Sequence, residues 1–420
     1  MKSMKTVRIN NRLNGYMIQS DKFKTDLIGV YIKRQLNKEE VGLNTLLSRM
    51  LVRGTETYKT TKKLNTYLET CYGMILVSDV VKYGEHHILQ IKLQFPDPKH
   101  ILDKDIFDNA IELINEILFN PLIENNRFKE SYFEQEKAHL IDEIESRIND
   151  KMSYSLERCI ECMYEGENYA NYVYGDVKDI ELISNEALYE HYLKIIDSSK
   201  VDISIMGDID FDEVEEKLRK LPIKGGEVTA SVDQVHKFEG LKVVHEDLNV
   251  KQGKLVLGYS TPYSFDHPMY ETSILAFHIL GGGPNSKLFK LLREEHSLCY
   301  YVYTKSDKFM GNVFIGAGIE SENYDCVLSL IESCLKEVSI TGEELIQAKD
   351  AMIASVRSIL DFPNSFINFF YTEMLDRDLE KGFDLDEMIN RFEEVDLKDV
   401  MEIYNNLNLD TIYFIDGGDK

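Results

Sequence analysis

Tryptophan is absent from this chain, so indole fluorescence in any mixture would report on a partner alone. Cysteine is scarce: Cys71, Cys159, Cys162, Cys299, Cys326 and Cys334 are the only six in 420 residues. That excludes a small disulfide-stapled scaffold and fits a reducing compartment. Cations are outnumbered, 48 Lys and Arg against 73 Asp and Glu, for a net charge of -25. Such a balance repels a phosphate backbone and an anionic bilayer, which argues against nucleic acid and membrane partners. No apolar run reaches the length of a membrane span, and the opening MKSMKTVRINNRLNGYMIQ lacks the continuous apolar core of a secretory signal. The expectation is a soluble, cytoplasmic protein. Several catalytic signatures are missing too. There is no G-x-S-x-G and no His-x-x-Glu-His, and LGGGPNSKL fails as a phosphate loop because Ser286 precedes Lys287 and Leu288 follows it.

What is present looks like two similar halves. Apolar extended runs at TDLIGVYIKRQ, MILVSDVV, HHILQIKLQF and KVDISIMGDI alternate with helical stretches in the first half. The segment DIFDNAIELINEILFNP is an amphipathic helix stopped by Asn120 and Pro121, and neither Pro nor Gly recurs before Gly166, so one long helix or two end to end should follow. LPIKGGEVTASVDQ, Leu221 to Gln234, dissolves into turn formers and reads as a linker. The second half then gives strands at GLKVVHED and GKLVLGYST, a helix at ETSILAFHILG, a glycine turn and a helix at SKLFKLLREE. Strands at YYVYTKSD and NVFIGAGIE and further helices through Glu393 complete it. Helix, glycine turn, short helix and two strands thus occur near Thr45 to Leu93 and again near Thr272 to Ile319. The expected fold class is α+β: two similar domains, 1–220 and 236–420, joined by a linker at 221–235. Each should be a mixed, mostly antiparallel sheet with helices packed on one face.

Three segments carry chemistry-bearing residues. GLNTLLSRMLVRGT, Gly42 to Thr55, is by itself an amphipathic helix with Leu43, Leu46, Leu47, Met50 and Leu51 on its apolar side. FEQEKAHLIDEIES places Glu136 and Glu143 seven residues apart, nearly superposed on one helical face. LGGGPNSKLFKLLREEHSLCYYVYT holds Gly281 to Gly283, Ser286, Leu288, Phe289, Leu292, Arg293, Glu294, Leu298 and Tyr300 in order. Read locally, Arg293 is a surface cation and Tyr300 a strand residue packed in a core. Cys159 and Cys162 form a C-x-x-C inside a helical pattern without a second pair, which disfavours a metal or redox role. His86 and His87 are adjacent on a strand, so their side chains point to opposite faces.

Taken together and in this order, the three segments resemble the insulinase, pitrilysin and mitochondrial-processing-peptidase family of inverted-motif zinc peptidases. In that family His-x-x-Glu-His is followed by an apolar run and Lys/Arg-Gly-Thr. Here Thr45, Ser48 and Arg49 stand at the three chemical positions. Positions i, i+3 and i+4 share one helical face, which is why two imidazoles and a carboxylate can converge there, but two hydroxyls and a guanidinium make no zinc shell. The resemblance puts Glu143 at the third ligand position and Glu136 in support of it. It implies that Arg293 and Tyr300 hold a substrate backbone or a developing oxyanion near a zinc site. Ser297 departs from the usual glycine and Cys299 from the usual alanine, neither removing a functional group.

The implied function is that of a noncatalytic subunit of a heterodimeric zinc metallopeptidase. It would have no cofactor of its own, would supply Arg293 and Tyr300 in trans to a zinc-bearing homologous partner, and would enclose an unfolded peptide in a chamber. A homodimer of isolated chains stays open. The alternative of a different class is a non-proteolytic peptide-binding or scaffold protein of the same fold. At the vacated site Arg49 either points to solvent or pairs with Glu143, replacing the metal's charge and sparing Glu143 from being buried unpaired.

Overall fold

A computed structural model describes residues 3–416 apart from 227, 229–235, 237, 239, 249, 376–378, 380 and 381. In chain order its strands are Ser3–Arg8 (β1), Leu13–Gln19 (β2), Thr25–Gln35 (β3), Ile75–Tyr83 (β4), His86–Pro96 (β5) and Lys200–Gly207 (β6), then Lys242–Asp247 (β7), Gly253–Ser260 (β8), Cys299–Asp307 (β9), Asn312–Ile319 (β10) and Asn408–Asp416 (β11). They form a six-stranded sheet ordered β1-β2-β6-β3-β5-β4 and a five-stranded sheet ordered β7-β11-β8-β10-β9. Only β2 with β6 and β7 with β11 run parallel, so both sheets are mixed and mostly antiparallel. The chain adopts the expected α+β class with two mixed sheets, but helices cover the first sheet on both faces and not on the single face expected, because a downstream helix packs on the second face.

The first compact unit comprises 1–145, 173–233 and 359–383. β3 is buried along nearly all its length, as a central strand covered on both sides must be. Register places Ile32, Val30, Leu89 and Ile91 on one face, where the Lys38–Leu51 helix packs on β4 and β5. Tyr16, Ile18, Leu27 and Met206 lie on the other face. There Phe366, Ile367, Phe370 and Met374 of the Pro363–Met374 helix close a core over them. Tyr371 of that helix stacks on Tyr31 with ring centroids 3.7 Å apart. A helix from far downstream therefore completes the first sheet. Ile75 and Val77 of the outer strand β4 share this face but are 56% and 53% exposed.

The second unit comprises 146–172, 234–358 and 384–420, and it shows the reciprocal arrangement. The glycine- and proline-free stretch is two helices, Glu130–Ser146 and Lys151–Met163, separated by a single 3-10 turn at Arg147–Asn149. The second of these packs on β8 and β11, with Cys159 and Met163 against Gly258. A cut at the linker therefore differs from the division by packing, because each unit takes one helix from the other half of the sequence. Of the linker, residues 227 and 229–235 lie outside the described residues. Its start is fastened: Asn10 donates to the carbonyl of Ile223 and Asn11 to that of Gly226. Among the described residues no helix is long and apolar enough to cross a membrane.

Candidate functional site

The Lys38–Leu51 helix starts at Asn37, whose side chain accepts from the Glu39 amide, and buries Thr45 and Ser48 almost completely. Neither hydroxyl faces an open coordination position. Thr45 Oγ1 donates to the Val41 carbonyl at 2.9 Å and Ser48 Oγ to the Thr45 carbonyl at 2.8 Å, so both are absorbed by their own helix. Arg49 extends to Glu143 Oε2 at 2.5 Å, and its guanidinium lies 5.8 Å from the Tyr174 ring centre. The guanidinium-carboxylate pair is formed, but the reason expected for it is not the right one. Glu143 is 46% exposed and Arg49 18%, so water already screens the charge and the pair stabilises by at most about 1 kcal/mol. The buried carboxylate is Glu136, 8% exposed, and its cation is Arg53, 3.0 Å away, which also donates to Gln135 at 2.8 Å. Arg53 belongs to the Arg-Gly-Thr frame, and nothing in its spacing marks it rather than Arg49 as the cation of the inner glutamate.

A zinc ion does not fit this set. A guanidinium covers one of the remaining carboxylates, another Arg covers the second, and the hydroxyls are neutral and already bonded. Among the described residues no three His, Cys, Asp or Glu side chains gather to hold a metal. Cys159 is buried, its thiol pushed up by desolvation, and Cys162 is half-buried; neither is in a disulfide.

Arg293 and Tyr300 sit in the second unit on two unusual pieces of backbone. Phe289–Glu295 is a π-helix, a wide turn that is rare and recurs at functional sites. Arg293 is exposed on it, its guanidinium 5.0 Å from the Phe289 ring centre. The turn ends with the Leu298 amide donating to the Leu292 carbonyl at 2.7 Å, which requires Ser297 at φ 55. A glycine adopts that conformation without the Cβ penalty. Ser297→Gly is accordingly expected to stabilise the protein by about 0.5–1 kcal/mol, read as a higher urea midpoint at unchanged m-value. Beyond it, Gly318 of β10 opposes Tyr301 while Ile319 opposes Cys299, so Tyr300 is an extra residue in β9. The bulge breaks the two-residue alternation and turns Tyr300 outward, 59% exposed, beside a buried Cys299. The local expectation of a core tyrosine is therefore corrected. Its hydroxyl donates to Glu320 Oε1 at 2.6 Å, a bond that holds the phenol above its ordinary pKa.

Residues 182–352 match the family described as peptidase M16 inactive domain. Over 411 residues the chain is 28% identical to the probable inactive metalloprotease YmfF of Bacillus subtilis (strain 168), covering 96% of each. The chain is thus similar to inactive members of the peptidase M16 family. Its fold is similar to that of a conserved protein from Enterococcus faecalis V583, with TM-score 0.92 at 25% identity over 99% of both chains. It is also similar in fold to a peptidase M16 inactive domain from Pseudomonas fluorescens, with TM-score 0.79 at 18% identity over 99% of both.

The degenerate helix of this chain is held in place by hydrogen bonds that need no metal. Asn44, one residue before Thr45, donates to His87 Nδ1 at 3.0 Å and accepts from His191 Nε2 at 2.8 Å, while His87 Nε2 donates to the Val173 carbonyl at 2.9 Å. The accepting Nδ1 requires His87 to be neutral, whereas His191 donates through Nε2 in either state, and burial pushes both imidazoles down to about 4. A histidine whose folded pKa lies below the ordinary 6.5 contributes stability that is complete above pH 6.5 and lost as pH falls towards 4. Buried Asp26, pushed up to about 7 by desolvation and then by Asp97, acts in the opposite sense over the same range. Urea unfolding of His191→Gln is therefore expected to lose less stability between pH 7 and pH 4.5 than the unsubstituted chain, by roughly 1–3 kcal/mol. Equal slopes would remove the network from the account. His86 is buried as well, so neither histidine of the pair is a surface ligand.

Proposed function

We propose that this chain is the noncatalytic subunit of a heterodimeric zinc peptidase, acting in the cytoplasm on unfolded peptides. Zinc belongs to a homologous partner, which supplies the activated water when loaded. This chain contributes Arg293 and Tyr300, which engage the peptide in a chamber formed with that partner. The observation that carries the reading is the pairing of a helix whose chemical positions are closed with a tyrosine turned out to solvent by a bulge. A chain serving only as a scaffold has no use for an outward phenol and an exposed guanidinium held on a π-turn.

The outer strand β4 supports the same reading. Its edge is unpaired within the sheet, and Ile75 and Val77 are exposed beside Gln90, Lys92 and Gln94 on one face. Extended peptides add to such edges through main-chain hydrogen bonds, with alternate side chains entering shallow apolar sites. The net charge of -25 favours basic peptides.

The test is to mix the purified chain with a zinc-bearing homologue encoded beside it and follow cleavage of a fluorogenic peptide, with metal analysis of each chain. Cleavage that needs both chains, with zinc only in the partner, is the expected result. Full activity of the partner alone would sink the proposal, and tight stoichiometric zinc in this chain would sink the division of labour. Binding of peptide without any cleavage in the mixture would assign the chain to the scaffold class.

A further inference from the structure

The hydrogen bond from Tyr300 to Glu320 fixes which way the phenol faces a ligand. Tyr300 has one proton and two lone pairs to offer. The bulge in β9 puts its ring in solvent, and Glu320, the first residue after β10, meets the hydroxyl at 2.6 Å. Such an O–H to carboxylate bond is charge-assisted and about twice as strong as one to a neutral acceptor, so a peptide carbonyl does not displace it. What remains accessible on Tyr300 is the lone-pair side of the oxygen.

We infer that Glu320 is a positioning residue that takes the Tyr300 proton and so presents the phenol to the peptide as an acceptor, matched to a backbone N–H, and not as a donor to a carbonyl. This rests on the reading of Tyr300 as a peptide-engaging group. Under it, the backbone amide of the substrate is gripped by an oxygen whose rotamer is already set, and no ordering of the phenol is needed at the moment of binding. Glu320 is well suited to a clean test, because its side chain makes no capping bond to the Ser321–Asn323 turn that follows it.

The experiment has two arms. In the mixed complex, Tyr300→Phe is expected to lower kcat/KM about tenfold, the effect of one lost hydrogen bond, Glu320→Ala should lower it by a smaller factor because the phenol keeps its lone pairs but loses its fixed rotamer, and Glu320→Ala added to Tyr300→Phe should lower it no further. In the isolated chain carrying 13C-labelled tyrosine, the Tyr300 resonance, identified by its loss in Tyr300→Phe, should titrate at lower pH in Glu320→Ala. A kcat/KM that stays the same or rises in Glu320→Ala means that the freed proton is harmless or useful, which overturns the acceptor assignment. An unmoved titration overturns the pairing itself. If the unsubstituted mixture cleaves nothing, the subunit reading falls, while the titration still decides whether Glu320 holds the phenol.

Discussion

Arg293→Ala is expected to lower kcat/KM of the mixed complex roughly 10²–10³-fold, the loss seen when one preorganised donor to a developing negative charge is removed. The size of the effect follows from what Arg293 is doing in the folded chain. It lies exposed on a π-turn, stacked on Phe289, where its own structure makes little use of its charge. Stability should therefore be almost unchanged, within about 0.5 kcal/mol as for an ordinary surface substitution. Arg293→Lys should recover only part of the activity, since a point charge does not reproduce a planar fork of donors. A complex that assembles with unaltered affinity and cleaves at the original rate without this guanidinium would remove Arg293 from the site. A large loss of thermal stability would instead assign it a structural role.

The second large effect concerns the fold. A fragment of residues 1–220 is expected to stay unfolded, although it contains every strand of the first sheet. One face of that sheet is closed by Phe366, Ile367, Phe370 and Met374, none of which is in the fragment. In the full chain Phe370→Ala should cost about 3–5 kcal/mol, because a fully buried aromatic ring leaves both lost transfer energy and a cavity. Circular dichroism and amide dispersion of the fragment, with urea unfolding of the variant, check both statements. A fragment with native-like dispersion and a sharp unfolding transition would show that the downstream helix is an accessory.

These two expectations differ in how far the amino-acid sequence alone supports them. Thr45, Ser48 and Arg49 were legible as a vacated motif only through the family resemblance, since their spacing alone reads as an amphipathic helix, and the Arg49 to Glu143 contact stood level with an Arg49 turned to solvent until the structure showed it. The division of labour between the two glutamates was not legible. Seven residues apart on one helix they look alike, and only the neighbouring Arg53 and the depth of the site distinguish buried Glu136 from half-exposed Glu143. Tyr300 reads as a core residue from strand alternation, and the bulge that reverses it is a property of the pairing with β10. Glu320 had no signal at all, since a lone acidic residue after a strand is ordinary. The sheets were legible where runs such as TDLIGVYIKRQ are apolar throughout. β1, β2 and β11 were missed because short strands of mixed composition are set by the strands they join. The exchange of helices was out of reach for a related reason. Apolar spacing in Lys151–Met163 and Pro363–Met374 says that each needs a partner surface, and nothing in it says which sheet provides that surface.

The reciprocal exchange bears on how the protein is made. As the chain leaves the ribosome, the first sheet can pair its strands once β6 has emerged, yet its open face waits for residues 363–374. The second sheet waits longer still, for β11 at 408–416, which inserts between β7 and β8. Neither half can mature before nearly the whole polypeptide is available, so the nascent chain carries uncovered apolar surface through most of translation. A gene divided at the midpoint would thus encode two products that reach the native state only in each other's presence.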